Sequence, residues 1–129
     1  MEPDLVEEAR RRAPEAQIIE ESIYETTRKE GEFDVVFALE VLEHLEDPAA
    51  ALAEIHRITK QYAIISVPRE PVWRVMNLAR GKYAADWGNT PGHVNHWGRT
   101  GFENFLATKF AVINSDFPLP WQMYLLQKK

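Results

Sequence analysis

Three observations predict an α/β domain whose sheet is mostly parallel and closes with an antiparallel hairpin. Phe33 to Leu39 is an apolar run, the pattern of a strand buried on both faces in a parallel sheet. Asp47-Pro48 then opens a helical pattern and Tyr62 to Val67 is a second apolar run, so strand, helix and strand alternate. Finally, Phe110–Ile113 and Trp121–Leu126 are joined by a short segment holding Pro118 and Pro120, which fits an antiparallel pair.

The elements follow in order. Leu5, Val6 and Ala9, with early acids and Arg10 to Arg12 at the far end, read as a short helix that Pro14 stops. Gln17 to Ile19 is a weak strand, and Glu20 to Glu32 is a polar segment of turn and helix. Phe33 to Leu39 is the strongest strand. Asp47 is the N-cap and Pro48 the first position of a helix to about Ile58, with Leu52 and Ile55 inward. Tyr62 to Val67 ends at Pro68 and Pro71. Val72 to Arg80 reads as a helix with Val72, Val75, Met76 and Ala79 on one stripe. Gly81 to Gly98 is a long loop carrying Trp87, His93, His96 and Trp97. Thr100-Gly-Phe-Glu103 is a capping box that opens a short helix burying Phe102, Phe105 and Leu106.

Length and composition bound the function. At 129 residues the chain is a single domain over 1–129, with an ordinary apolar content of 45%. A net charge of −5 argues against a general nucleic-acid binder, although Arg69, Arg74, Arg80 and Lys82 lie close in sequence. The absence of cysteine excludes disulfides, thiolate catalysis and a Cys-ligated zinc. No apolar run reaches membrane-spanning length, and a cytoplasmic protein is the default expectation.

In open α/β sheets a ligand sits beyond the carboxyl ends of the strands, so Ala38 to His44 is the expected site. In that stretch Glu40, Glu43 and His44 would share one face if helical. His44 between carboxylates suits a general base, and Glu-x-x-Glu-His also suits part of a divalent-metal site completed by His93 or His96. The plainer alternative is a set of acids favoured by the start of the Pro48 helix, with His44 simply packed. His93, His96 and Trp97 fit an acceptor pocket over the crevice, or a loop packed on its own tryptophans. Arg69 could meet an anionic acceptor or lie on a solvated face, and His56 is expected at the surface.

The segments Phe33-Asp-Val-Val, Leu42-Glu-His-Leu-Glu-Asp-Pro48, Leu52-Ala-Glu-Ile-His-Arg57, Ile65-Ser-Val-Pro68 and the final hairpin resemble the class I S-adenosylmethionine-dependent methyltransferases. The resemblance is to the small-molecule group related to the ubiquinone and menaquinone methyltransferases, and it covers roughly three-quarters of the chain in consistent order. It implies a Rossmann-like sheet and S-adenosylmethionine as cofactor. It implies ribose contacts at Glu2, adenine contacts at Glu21, Ser22 and Ile23, and contacts to the methionine portion along Ala38, Leu39 and Glu40. The Glu-x-x-Glu-His pattern resembles that of ubiquinone-pathway and small-RNA methyltransferases that use a metal.

One departure qualifies the match. The family's first strand and glycine-rich cofactor turn have no counterpart, so the chain reads as an N-terminally truncated domain. The missing strand would lie beside Phe33–Phe37, and a second copy, a partner chain or a rearranged Gln17–Ile19 strand is expected there. The resulting expectation is methyl transfer to a small-molecule acceptor, O-methylation weakly preferred, with His44 and Glu43 as the catalytic pair. The alternative is a non-catalytic remnant that serves as an interaction module or needs a partner to complete the cofactor site. A nucleotide-handling domain of another family is disfavoured, because no glycine loop could cradle a phosphate.

Overall fold

A computed structural model describes residues 3–129, with side chains described from Leu5 onward. The first helix, α1, runs Pro3–Arg12 and the first strand, β1, runs Phe33–Leu39. A single 3-10 turn, Leu42–His44, leads to α2 at Pro48–Ile58, then β2 at Thr59–Pro68 and α3 at Val72–Ala79. Another 3-10 turn at Ala84–Asp86 precedes α4 at Arg99–Ala107, followed by β3 at Phe110–Asp116 and β4 at Trp121–Lys128.

The strand order is β1-β2-β4-β3. β1 pairs parallel with β2, and Leu39 stands opposite Ser66 at their carboxyl ends. β4 pairs antiparallel with both β2 and β3, so the predicted closing hairpin is present. The Asp47 carboxylate accepts from the Ala50 amide at 2.9 Å, the cap expected of that residue, with Pro48 in the first turn.

One face of the sheet holds the core. Ala63, Ile65 and Val67 of β2 and Tyr124 and Leu126 of β4 are fully shielded, packed in one cluster with Leu52 and Ile55 of α2 and Phe102 and Leu106 of α4. The alternate residues point to the other face, as a period of two requires. There Phe37 is 61% exposed, and Phe33, Val35 and Leu39 are also open to solvent. The expectation that β1 is buried on both faces is therefore corrected. Among the described residues no strand pairs with its outer edge, and its bare face has no helix over it.

Other expectations also need correction. Gln17–Ile19 forms no strand; only an isolated bridge between Ser22 and Glu25 follows it. The stripe assigned to α3 is not the buried one, since Val75 is 60% exposed while Asn77 is buried. Asn77 turns inward because its Nδ2 donates to the Gly88 carbonyl at 2.9 Å. No capping box opens α4: Gly98 occupies the cap position without a side-chain bond, and Glu103 instead takes the Arg99 guanidinium at 3.3 Å. His56 is half-buried, edge-on to Phe110 at 5.1 Å, rather than a surface residue.

Candidate functional site

β1 delivers its carboxyl end to a hollow of about 210 Å³ lined by Leu39, Glu40, Ser66, Pro118, Trp121 and Met123. Glu40 leaves the strand with φ at 55°, a left-handed conformation that costs a non-glycine residue on the order of 1–3 kcal/mol. That turn aims its carboxylate at the Ser66 hydroxyl, which donates to it at 2.8 Å. Burial pushes the Glu40 carboxyl above its ordinary range, opposed by the bonds from Ser66 and Trp121. Ala38 is buried in the core and Leu39 is exposed at the hollow's rim.

The chain then tightens into the 3-10 turn Leu42–His44, which carries Glu43 and His44 and leaves the Glu43 carboxyl within reach of that of Glu40. The shared helical face expected for all three does not form. Glu43 is 1% exposed, and neither carboxylate oxygen receives a donor from another residue. Burial pushes its carboxyl up to about 7, reinforced by the charge of Glu40 and offset by its own backbone amide and by His44. His44 lies half open to solvent with Nε2 3.8 Å from Glu43 Oε1. Its Nδ1 meets the Gly92 carbonyl oxygen at 2.9 Å. A carbonyl only accepts, so Nδ1 carries the proton and Nε2 presents its lone pair.

The loop from 81 to 98 closes over this turn. The His93 ring lies edge-on to His44 at 4.8 Å and stacks on Trp73 at 5.8 Å, and Trp73 reaches Trp121 at 6.0 Å. Burial and the neighbouring His44 hold His93 below the ordinary imidazole range. One ligand atom each from Glu43, His44 and His93 lies within 4.8 Å of the others. His93, not His96, thus joins the pair. His96 instead sits 2.7 Å from Asn89 Oδ1, with its imidazole lowered by burial and by Arg74. Trp97 packs on Phe102 and Phe105, partly buried against the core, so it anchors the loop. Arg69 is half-buried where its segment bridges Trp97, outside the His44 cluster.

The segment assigned to the adenine has internal partners of its own. Glu21 is engaged by the Thr27 hydroxyl at 2.5 Å and by Arg28 at 2.7 Å, and these bonds hold its carboxyl low. Ser22 Oγ accepts from the Tyr24 amide at 3.3 Å, and Ile23 packs on the core. Glu2 lies outside the described residues. Sequence reasoning missed Ser66 and Trp121, which line the hollow, and Trp73, which packs on Trp121 and His93 beside it. The signal was present in Trp73, placed just after the second strand's proline stop.

Residues 1–67 match a family profile described as a methyltransferase domain, slightly more than half of the chain. The chain belongs to the methyltransferase-domain family. Solved structures agree on the fold. An S-adenosylmethionine-dependent methyltransferase from Thermotoga maritima, described as a possible histamine N-methyltransferase, is 16% identical with a TM-score of 0.75, over 98% of this chain and 70% of that one. Magnesium protoporphyrin IX methyltransferase from Synechocystis, with bound SAH, is 16% identical with a TM-score of 0.69, over 96% of this chain and 59% of that one. A Haloferax volcanii protein solved in complex with a methyltransferase activator is 14% identical with a TM-score of 0.72, over 98% of this chain and 68% of that one. The methyltransferase chain thus spans 59% to 70% of these neighbours' lengths. No curated protein matches it. Among the described residues no helix is long and apolar enough to cross a membrane.

Proposed function

We propose that this methyltransferase chain transfers a methyl group from S-adenosylmethionine to a small-molecule acceptor, with His44 taking the acceptor's proton. The observation that carries this reading is the Glu43–His44 pair beyond the carboxyl end of β1: a buried carboxylate with no outside donor, 3.8 Å from a histidine whose Nε2 is free. The sulfonium cofactor supplies the methyl group. Leu39, Glu40 and Ser66 line the hollow that suits its amino-acid portion, and the Glu40 carboxylate suits an ammonium. Glu21 fits the adenine role less well, because Thr27 and Arg28 already occupy its carboxylate. For a hydroxyl acceptor, the oxygen–methyl bond forms as the sulfur–methyl bond breaks, and the proton passes to His44 Nε2. Alignment supplies most of the rate and general-base catalysis about 10²–10⁴-fold. O-methylation is our preference because His44 presents a lone pair, while Trp73, Trp121 and His93 offer flat aromatic walls to the acceptor.

Two further readings each have an observation behind them. The grouping of Glu43, His44 and His93 supports a divalent cation at this point, positioning the acceptor oxygen. The bare outer edge of β1 supports completion of the site by a second copy or another polypeptide, leaving this chain alone as an interaction module.

Calorimetric titration with S-adenosylmethionine and SAH decides between enzyme and module. Saturable heat and a raised melting temperature support the enzyme. No heat and no melting shift at millimolar ligand would end the claim for this chain alone.

A further inference from the structure

The 3-10 turn that carries Glu43 and His44 is three residues long, and inside it only the Leu42 carbonyl is used, accepting from the Leu45 amide at 3.3 Å. The remaining bonds to its oxygens come from the 92–95 segment. Asn95 Nδ2 donates to the Leu45 carbonyl at 2.6 Å and to the Leu42 carbonyl at 3.3 Å, so one carboxamide spans both ends of the turn. Between them, the Glu43 carbonyl accepts from the Val94 amide at 2.8 Å and the Asn95 amide at 3.0 Å. In return His44 Nδ1 donates to the Gly92 carbonyl at 2.9 Å. Three residues of the loop, Gly92, Val94 and Asn95, are therefore clipped to the segment Leu42 to Leu45, and Asn95 is the member that binds through its side chain at two points.

We infer that Asn95 is a positioning residue that holds the loop against the catalytic turn and so fixes the His44 ring with Nδ1 protonated and Nε2 facing Glu43. Its catalytic consequence rests on the function proposed above; its effect on the His44 ring does not. The chemistry demands an amide here. Two carbonyls face the same nitrogen, and only a group with two N–H donors at that reach satisfies both. An aspartate would put a third acceptor against two others and push the loop off the turn. An alanine would leave the Leu45 carbonyl to water and the Leu42 carbonyl to the Leu45 amide, and would keep the backbone bonds. The far end of the loop is anchored separately, because Gln122 Nε2 donates to the Trp97 carbonyl at 2.9 Å. Release at Asn95 should therefore be local.

The test compares the parent chain with Asn95→Asp and Asn95→Ala, reading the His44 ring by long-range proton–nitrogen correlation and the Val94 amide by hydrogen exchange. The parent should show the Nδ1–H form of His44 and a protected Val94 amide. Asn95→Asp should populate the Nε2–H form and lower Val94 protection about tenfold or more. Asn95→Ala should do so partially. If the chain methylates an acceptor, kcat should fall about tenfold or more in Asn95→Asp, while affinity for SAH stays within about twofold. An unchanged His44 form and unchanged Val94 protection in both variants would overturn the inference. So would loss of cooperative melting in Asn95→Ala, which would make the residue a general staple of the fold. A shifted His44 ring in a chain that transfers no methyl group would leave this inference standing and remove the proposed function.

Discussion

His44 Nδ1 lies 2.9 Å from the Gly92 carbonyl oxygen, a bond between residues on different segments that orients the imidazole beside Glu43. This contact decides which nitrogen is available for chemistry, and the neighbouring carboxyl decides how that nitrogen behaves.

If His44 takes the acceptor's proton, removing the ring removes the proton acceptor. His44→Ala should lower kcat about 10²–10⁴-fold while SAH binds as before. Steady-state kinetics with a calorimetric SAH titration check this, and unchanged turnover would reject the base.

Glu43 makes stability depend on pH in a defined direction. Its folded carboxyl is raised to about 7 from an ordinary 4.5, so the folded state holds the proton more tightly. The contribution is full below 4.5 and is lost as pH rises through 7. Between about pH 5 and about pH 8 the parent should lose on the order of 3 kcal/mol more stability than Glu43→Gln. Parallel urea-melting curves for the two proteins would show that the carboxyl is not strained by burial.

A cation at Glu43, His44 and His93 would stabilise the folded chain by mass action. Magnesium, manganese or zinc at about a hundred times its dissociation constant should add about 2.7 kcal/mol to the parent, and much less to His93→Ala. Melting curves indifferent to metal and chelator would dispose of the cation.

Glu54 ties the polar segment to α2. Its Oε1 accepts from the Thr26 amide at 2.9 Å and hydroxyl at 2.7 Å, and Arg57 closes the network at 2.7 Å. Those bonds, with that from Arg57 largest, hold its carboxyl at about 2. This stability is present above 4.5 and is lost as pH falls through 2. Glu54→Ala should cost about 2 kcal/mol at neutral pH and expose the Thr26 amide to exchange. A melting midpoint unaltered by the substitution would contradict the network's role.

Phe37 probes the open edge. Because it is 61% exposed, Phe37→Lys should change monomer stability by less than about 0.5 kcal/mol. If a second copy covers β1, the substitution should convert a dimer to a monomer in a solution mass measurement. A monomer before and after would exclude the second copy.

Much of the architecture was legible in local pattern. Asp47-Pro48 reads as a helix start because capping and the proline ring act within one turn, and the structure places both there. The Phe110 and Trp121 strands pair as expected, because their short connection leaves an antiparallel return as the simple geometry. Strand burial was not legible. An apolar run looks the same whether both faces are covered or one, and coverage of β1 depends on elements distant in sequence. The stripe on α3 failed for a related reason: Asn77 bonds Gly88 across the loop, and that contact outweighs hydrophobic periodicity.

The candidate site divides the same way. His44 and Glu43 could be singled out beforehand, since carboxylates and an imidazole after a strand's carboxyl end are a local pattern. That His93 joins them while His96 turns to Asn89 could not, because the two histidines are equally placed in sequence.

The amino-acid sequence by itself determined most of the succession of strands and helices, the end of β1 as the candidate site, and the residue types available there, because propensity, capping and side-chain chemistry act over a few neighbours. Tertiary structure alone decided that one sheet face stays bare, that Glu43 is sealed from water, and that residues 92–95 lie on the 42–45 turn. Those outcomes depend on which distant groups meet, and burial and hydrogen-bond partners exist only once the chain has closed on itself.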